Sequence, residues 1–501
     1  MKSNKWLILL AVSIPTFMAE MAGTSVFVAF DAIASDLNVG IDRSVWLTTL
    51  YLATNAAMIP LAGWLGKKFG YKTVILLGVG VFTVSALLSA LAQSFEALVI
   101  FRALQGMGDG PIVPVSTALL LETFPPKERG RMTVATMLAV GMAPALGPFS
   151  ASWIVEEIGW RGIFYMNVGL GLLSLASVAA LIPPLKRPAQ DVQLNWPSFA
   201  MLAIGTGSLQ LFLDRGGHYD WFASDRILGL FVVAVISLLL FFIITIIKRD
   251  NSVLDLRLLR DIHFLTGNLA IMLIIGALFG ALVLKMIYLQ WLMGYTPVLS
   301  GIYYAVVAGA MFFCSVLAGV LTDKIHPRWP VVLGLPVCIY SLYLASRLTL
   351  YSDLRSILIA GVVMGAGIAF VMVPVSVTVF ASIQQEDMAA ASVLNSYLSV
   401  ISGAVSISLV MVLLMRRIEI QTASLGVALR HGNPAVETAA FYLGEETLLA
   451  TLQLMLSRQA AMFSFNDVLY FLTFLPLVIL LYLPFMKKAQ QEDEPNVNIS
   501  G

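Results

Sequence analysis

Apolar residues run along this chain in blocks near twenty long, parted by short polar connections, from Trp6 almost to the end. Fourteen blocks can be placed, roughly at 6–34, 45–65, 73–92, 97–121, 132–154, 162–183, 196–213, 227–247, 264–285, 298–321, 329–347, 356–382, 391–415 and 467–485. A helix rises ~1.5 Å per residue, so about 20 residues cross the ~30 Å hydrocarbon core of a bilayer. A strand in lipid would leave its backbone groups unpaired, so each block reads as a spanning helix. The expected fold is an all-α polytopic membrane protein with 14 transmembrane helices.

Composition agrees. Apolar residues make up 59% of the 501, and charged residues only 12%, against about a quarter in soluble chains. So little charge cannot cover a water-facing surface. A net charge of +1 argues against a nucleic-acid partner, which would need a clustered basic face. The first block follows MKSNK but continues to about Ala34, which reads as a first span rather than a cleaved signal. Lys and Arg concentrate on alternate connections, including Lys67, Lys68, Lys127, Arg129, Arg131, Lys324 and Arg328, which places both chain ends in the cytoplasm.

Cys314 and Cys338 fall in apolar runs, and the four histidines lie in or beside connections. None has metal-ligand spacing, so no metal is expected. The segment 416–466 is expected as the one long extracytoplasmic loop, with a helical apolar stripe over 445–463.

Two turns echo each other. GWLGKKFGYK (63–72) closes the second block and GVLTDKIHPR (319–328) the tenth. Gly63, Lys67, Lys68 and Gly70 in one, Gly319 and Asp323 in the other, would let helix ends approach and hold them by charge. Aligning them divides the chain into a six-helix bundle at 1–187, two inserted helices at 188–250, and a second bundle at 251–501. Paired halves with a site at midplane describe a rocker-type transporter.

The first turn resembles the opening signature of the major facilitator superfamily, and RALQGMGDG (102–110) resembles its second. APALGP (143–148) is similar to the antiporter signature of span five. WRGIFYMNVG (160–169), GSLQLFLDRGGHYDWFAS (207–224) and YLQWLMGYT (288–296) resemble the 14-helix drug:proton antiporters of the EmrB/QacA type. That resemblance implies two six-helix bundles plus two inserted helices and export driven by a proton gradient. It also implies, in Gram-negative members, a periplasmic adaptor and an outer-membrane channel. The family's span-one Asp is here Ala22, the acid of the first turn is Lys67, and the span-thirteen Arg is Ser399. The glycine pair closing the antiporter signature is Ala151 and Ser152.

A charge at the bilayer centre costs roughly 3 kcal/mol or more, so each needs a reason. Glu20 and Asp109 both fall near mid-depth of their blocks. An acid there can sit protonated in one access state and ionised in the other, as proton exchange requires; the alternative is a carboxyl that only ties helices together. Arg102, Gln105 and Asp109 share one helix face. Arg102 and Asp109 stand ~10 Å apart along the axis, so water or substrate bridges them, or Arg102 instead anchors a neighbouring helix through backbone carbonyls. Thr24 and Phe27 continue the face of Glu20 and, with Gln105, Gln290 and Lys285, are candidates for a substrate cavity. Lys285 could equally snorkel to the interface, and Asp31 reads as a solvated end residue. Gly141, Pro144, Gly147 and Pro148 form a closely packing, bent helix, which the resemblance implies seals the halves against proton leak.

No G-x-x-x-x-G-K-[ST] motif is present, which excludes an ATP-driven pump, and no nucleophile–base pair suggests an enzyme. The expected function is proton-coupled efflux of small lipophilic or amphiphilic compounds across the inner membrane, with no cofactor. Its alternatives are a dedicated exporter of one metabolite such as a siderophore, or a non-transporting scaffold or sensor.

Overall fold

Every apolar block is helical, though several are not single rods. The computed structural model describes residues 5–44, 46–125, 128–183, 193–217, 221–247, 253–428 and 445–486. In the first block α1 (Lys5–Ser25) passes through a 3-10 turn into α2 (Phe30–Asp36). After the single turn α3 (Ile41–Ser44), the second block is split into α4 (Trp46–Met58) and α5 (Leu61–Phe69). Next come α6 (Tyr71–Ala90), and a second split block, α7 (Phe95–Asp109) and α8 (Ile112–Thr123). Both splits fall at a proline, Pro60 and Pro111. Proline has no backbone N–H to donate, and its ring crowds the preceding turn.

The chain continues as α9 (Arg129–Ile158), α10 (Arg161–Leu181), α11 (Trp196–Gly216), α12 (Asp225–Ile247) and α13 (Ile262–Ile287). It ends as α14 (Pro297–Lys324), α15 (Arg328–Ala345), α16 (Leu354–Val379), α17 (Met388–Ala428) and α18 (Glu445–Leu472), with a 3-10 helix over Leu475–Phe485. Side chains cap several starts: Ser94 accepts from Ala97 N, Asn195 from Ser198 N, Asp261 from His263 N and Phe264 N, and Thr296 from Leu299 N. Among the described residues, eleven segments are long and apolar enough to cross a membrane. The remaining blocks, 45–65, 97–121 and 132–154, are helical, the first two in two pieces.

Two groups of helices emerge. In one, α1 packs on α9 and α10, α4 on α7, and α6 on α7 and α10. In the other, α16 packs on α13, α14 and α15, and α17 on α13 and α18. The most extensive contacts joining them are α9 against α14 and α8 against α17. The inserted helices pack on each other, and α11 also touches α4 and α17, one helix from each group. Leu239, Ile243, Ile246 and Ile247 of α12 are 50–73% exposed, a surface suited to lipid and not to water. Both boundaries of the inserted pair, near 187 and 250, lie outside the described residues.

The described ends lie together on one face. Lys5 pairs with Glu128 after the fourth block, while Arg328 Nη2 donates to Pro484 O (2.9 Å) and Met486 O (3.2 Å) after the tenth. On this face, outside the spans, hydrogen bonds from Arg257 hold the Asp255 carboxyl below its usual range, with Lys67 of the glycine–lysine turn adding to the effect.

Most of 416–466 is helix rather than loop. The 41-residue α17 is about 60 Å long, roughly twice the hydrocarbon core, and α18 begins at Glu445 and packs along it. Residues 429–444 lie outside the description. The charges Arg416, Arg417 and Glu419 mark where α17 leaves lipid, not where the helix stops.

Candidate functional site

The site starts from the glycines of G-M-G-D-G (106–110). A Cβ on Gly106 would sit 2.3 Å from Tyr51 O, one on Gly110 2.6 Å from Asn55 O, and one on Gly108 2.7 Å from Gly78 O. Only hydrogen fits, so α7 is pressed backbone-to-backbone between α4 and α6. That closeness sets the Asp109 carboxylate among side chains of α4. Tyr51 donates from its hydroxyl to Asp109 Oδ2 at 2.5 Å, and Asn55 Nδ2 donates to the same oxygen at 2.6 Å. Asp109 Oδ1, the other oxygen, has no hydrogen-bond partner among the described residues. The Tyr51 hydroxyl also lies 3.3 Å from Ala19 O of α1, next to Glu20.

Arg102, Gln105 and Asp109 are all buried on one side of α7. The guanidinium of Arg102 donates from Nε to Leu47 O (3.2 Å) and from Nη1 to Gln105 Oε1 (2.8 Å). It also stacks 4.1 Å from the centre of the Tyr51 ring. Arg102 thus anchors α4 through a backbone carbonyl, and the link from Arg102 to Asp109 runs through Tyr51, face to guanidinium and hydroxyl to carboxylate.

Glu20 and Asp109 line one cavity of about 220 Å³ between the helix groups. Its first wall adds Phe27, Tyr51, Asn55 and Thr117. The opposite wall is made by α13, α16 and α17, with Ile275, Phe279, Phe380, Asn395, Ser396 and Ser399. No charged side chain lies on that second wall. A serine ladder holds α17 to α13: Asn395 Nδ2 donates to Asn268 Oδ1 (2.9 Å), Ser402 to Met272 O (2.5 Å) and Ser406 to Gly276 O (2.6 Å). Ser399 falls between these rungs and lines the cavity.

The other candidates are dispersed. Thr24 is buried where α1 meets α9: its Oγ1 would be 2.5 Å from a Cβ on Gly147. Gln105 serves Arg102. Lys285 is 2% exposed, without a hydrogen-bond partner among the described residues, and its ammonium faces the rings of Tyr288 (4.9 Å), Phe465 (5.3 Å) and Tyr303 (5.7 Å). It neither snorkels nor lines the cavity. Gln290 is half-buried in a short π-helical stretch, Tyr288–Leu292, away from the cavity.

Gly147 packs α9 on α1 and Pro148 beside it is buried, and Gly141 and Pro144 belong to the same helix, their surroundings and those of the Asp323 side chain lying outside the description. Gly63 faces Val393 of α17, and Lys67 is exposed while Lys68 is over the Trp64 ring at 4.8 Å. Gly70 caps α5 with a φ of +81° that L residues avoid. Gly319 is buried on α14.

Sequence reasoning missed Tyr51 and Asn55, although two polar residues four apart in an apolar block were the available signal. It also missed Asp214 on α11, whose carboxylate takes hydrogen bonds from Thr49 (2.5 Å), Gln210 (3.1 Å) and Ser408.

Residues 12–407 match the family profile described as the Major Facilitator Superfamily. The chain is 30% identical over 438 residues to the probable multidrug resistance protein EmrY of Escherichia coli, covering 87% of this chain and 85% of that one. It is 31% identical over 406 residues to the multidrug export protein EmrB of Haemophilus influenzae (80% and 79% covered). It is 29% identical over 408 residues to the fatty acid resistance protein FarB of Neisseria gonorrhoeae (81% and 80%). The fold is similar to the crystal structure of the human organic anion transporter MFSD10, at TM-score 0.56 and 14% identity over 94% of this chain and 99% of that one. Helices, cavity and likeness agree: this is a multi-pass membrane protein belonging to the Major Facilitator Superfamily of transporters, with EmrB-type multidrug export proteins among its relatives.

Proposed function

We propose that the protein exports small lipophilic or amphiphilic compounds across the inner membrane, both ends cytoplasmic, in exchange for protons. The halves 1–187 and 251–501 rock about the cavity, and no cofactor is involved. The observation that carries this reading is one apolar cavity with two acids, Glu20 and Asp109, on its wall and no base. A carboxyl in such a place is stable when protonated or when a cation or water reaches it, so access from alternate sides loads and unloads a proton. The relatives named for multidrug and fatty acid resistance support lipophilic cargo.

The test is dye export from proteoliposomes under an imposed pH gradient, with ethidium as probe. Glu20→Gln and Asp109→Asn should each reduce gradient-driven export to background while ethidium still binds. Normal export by both variants ends the reading. A panel adding fatty acids and iron-chelating siderophores separates broad from dedicated export.

The projecting helices α17 and α18 also suit a periplasmic adaptor that carries cargo on to an outer-membrane channel, laid along them as helix against groove. Deleting residues 425–455 should spare transport in vesicles and abolish resistance in cells together with adaptor co-purification. Unchanged resistance would leave a helix pair resting on the membrane surface.

A further inference from the structure

The two inserted helices carry a buried acid that the cavity does not use. Asp214 lies two residues before the end of α11, close to the face opposite the chain ends, and it is absent from the cavity lining. Its oxygens are divided between the two helix groups. Oδ2 accepts from Thr49 Oγ1 of α4 at 2.5 Å. Oδ1 accepts from Ser408 Oγ of α17, and from Gln210 Nε2 one turn back on α11 at 3.1 Å. The neighbouring Arg215 is buried with its guanidinium stacked 4.2 Å from the Trp46 ring, again on α4. Every partner named for Asp214 outside its own helix therefore belongs to α4 or α17, one helix from each group.

A second contact between the groups lies at the same end of the molecule, built quite differently. There α14 starts against the end of α9. A Cβ on Gly301 would be 2.2 Å from Ser152 Oγ and 3.2 Å from Phe149 Cα, and Val298 N donates to Glu156 Oε1 at 3.2 Å. That side is joined by the close approach of Gly301 to α9 and by one backbone N–H held by the Glu156 carboxylate. The other is joined by a carboxylate holding hydroxyls from both groups.

We propose that Asp214 is a clasp that holds the two halves together at the face opposite the chain ends, and that α11 must let go of α4 or of α17 each time that face opens. The inference rests on the alternating-access reading above. Rocking moves α4 relative to α17, and hydrogen bonds have a reach of only a few tenths of an ångström beyond contact. A single carboxylate bonded to both cannot keep both partners in the two end states. Bonds to an ionised acceptor are among the stronger ones available, and in a low-dielectric interior they count for more than in water. The clasp thus biases the equilibrium toward the closed arrangement by contacts made in only one state, which is what a conformational bias requires. Asp214 is a positioning residue: it touches neither cavity nor cargo, and acts through Thr49 and Ser408.

The measurement is a distance across the face by double electron–electron resonance. Spin labels go on Glu157→Cys, exposed at the end of α9, and Tyr351→Cys, 89% exposed beyond α15, with Cys314 and Cys338 replaced by alanine. The full-length protein in nanodiscs should show a main short-distance population. Removing both hydroxyls, Thr49→Ala with Ser408→Ala, or removing the charge, Asp214→Asn, should shift the ratio of long to short populations by at least about fivefold. The conservative pair Thr49→Ser with Ser408→Thr keeps the hydroxyls and should keep the original distribution, which a packing effect would not do selectively. If Asp214→Asn fails to accumulate, the hydroxyl-deleted pair decides alone. An unchanged distribution in that pair overturns the clasp, and so does an equal shift in the conservative pair. Distance needs no cargo, so a protein that rocks normally but exports nothing would end the export reading and leave the clasp standing.

Discussion

The two walls of the cavity are built from different materials. On the first, α1 presents Glu20 while α4 and α7 present Tyr51, Asn55 and Asp109, these three knit by short hydrogen bonds and backed by the stacked Arg102. The wall facing them, from α13, α16 and α17, offers aliphatic and aromatic side chains with a few neutral amides and hydroxyls. The helices behind the walls differ as well. α7 meets α4 at glycines too close for any side chain, whereas α17 meets α13 through serine hydroxyls that reach across to carbonyls. The difference is one of materials: one wall carries both acids in a tightly packed frame, and the other is an apolar surface with no charge.

The comparison breaks most decisively if charge handling is shared. Glu20→Gln combined with Asp109→Asn should eliminate proton release on addition of ethidium, read by a pH dye, while Asn395→Ala combined with Ser399→Ala should leave it in place. Equal losses in both would dissolve the distinction. Tyr51→Phe comes next: it removes the hydroxyl between the Arg102 stack and Asp109. Hydrogen bonds to charged groups contribute about 1.5–3 kcal/mol, so gradient-driven export should fall about tenfold or more, with folding preserved.

Packing supplies a third comparison. Gly106→Ala places a methyl 2.3 Å from Tyr51 O and should destabilise by about 1–3 kcal/mol, seen as a lower unfolding midpoint in detergent. Gly276→Ala in the second group would meet Ser402 Oγ at 3.4 Å, an ordinary contact, and should cost under about 1.5 kcal/mol. The smallest effect belongs to Ser399→Ala. Transport of ethidium should change by no more than about threefold, in line with small contributions from single neutral contacts, while the ranking of substrates across a panel shifts.

Much of this architecture was legible in the chain because lipid imposes one rule on every span: twenty apolar residues in a helix. The rule finds where α17 leaves the bilayer but not where it ends, since Arg416, Arg417 and Glu419 are as content on a helix in water as in a loop. It also passes over the splits at Pro60 and Pro111, where hydropathy stays high while the backbone turns. Glu20, Arg102 and Asp109 stood out because charge in lipid is rare. Tyr51 and Asn55 did not, being neutral, and the aromatic box around Lys285 could not, since Tyr303 comes from the next helix and Phe465 from one far along the sequence. Asp214 was visible only as part of a quoted motif; its meaning depends on Thr49 and Ser408, 165 and 194 residues away.

The approach of Gly301 to Ser152 and Phe149 has a practical side. At that joint one added methyl group has nowhere to go while the helices are together. If the halves rock as proposed, Gly301→Ala should act as a doorstop, propping open the face away from the chain ends without touching the acids that line the cavity. A transporter arrested in that way would be a stable target for antibody selection and for inhibitor screening against a single conformation.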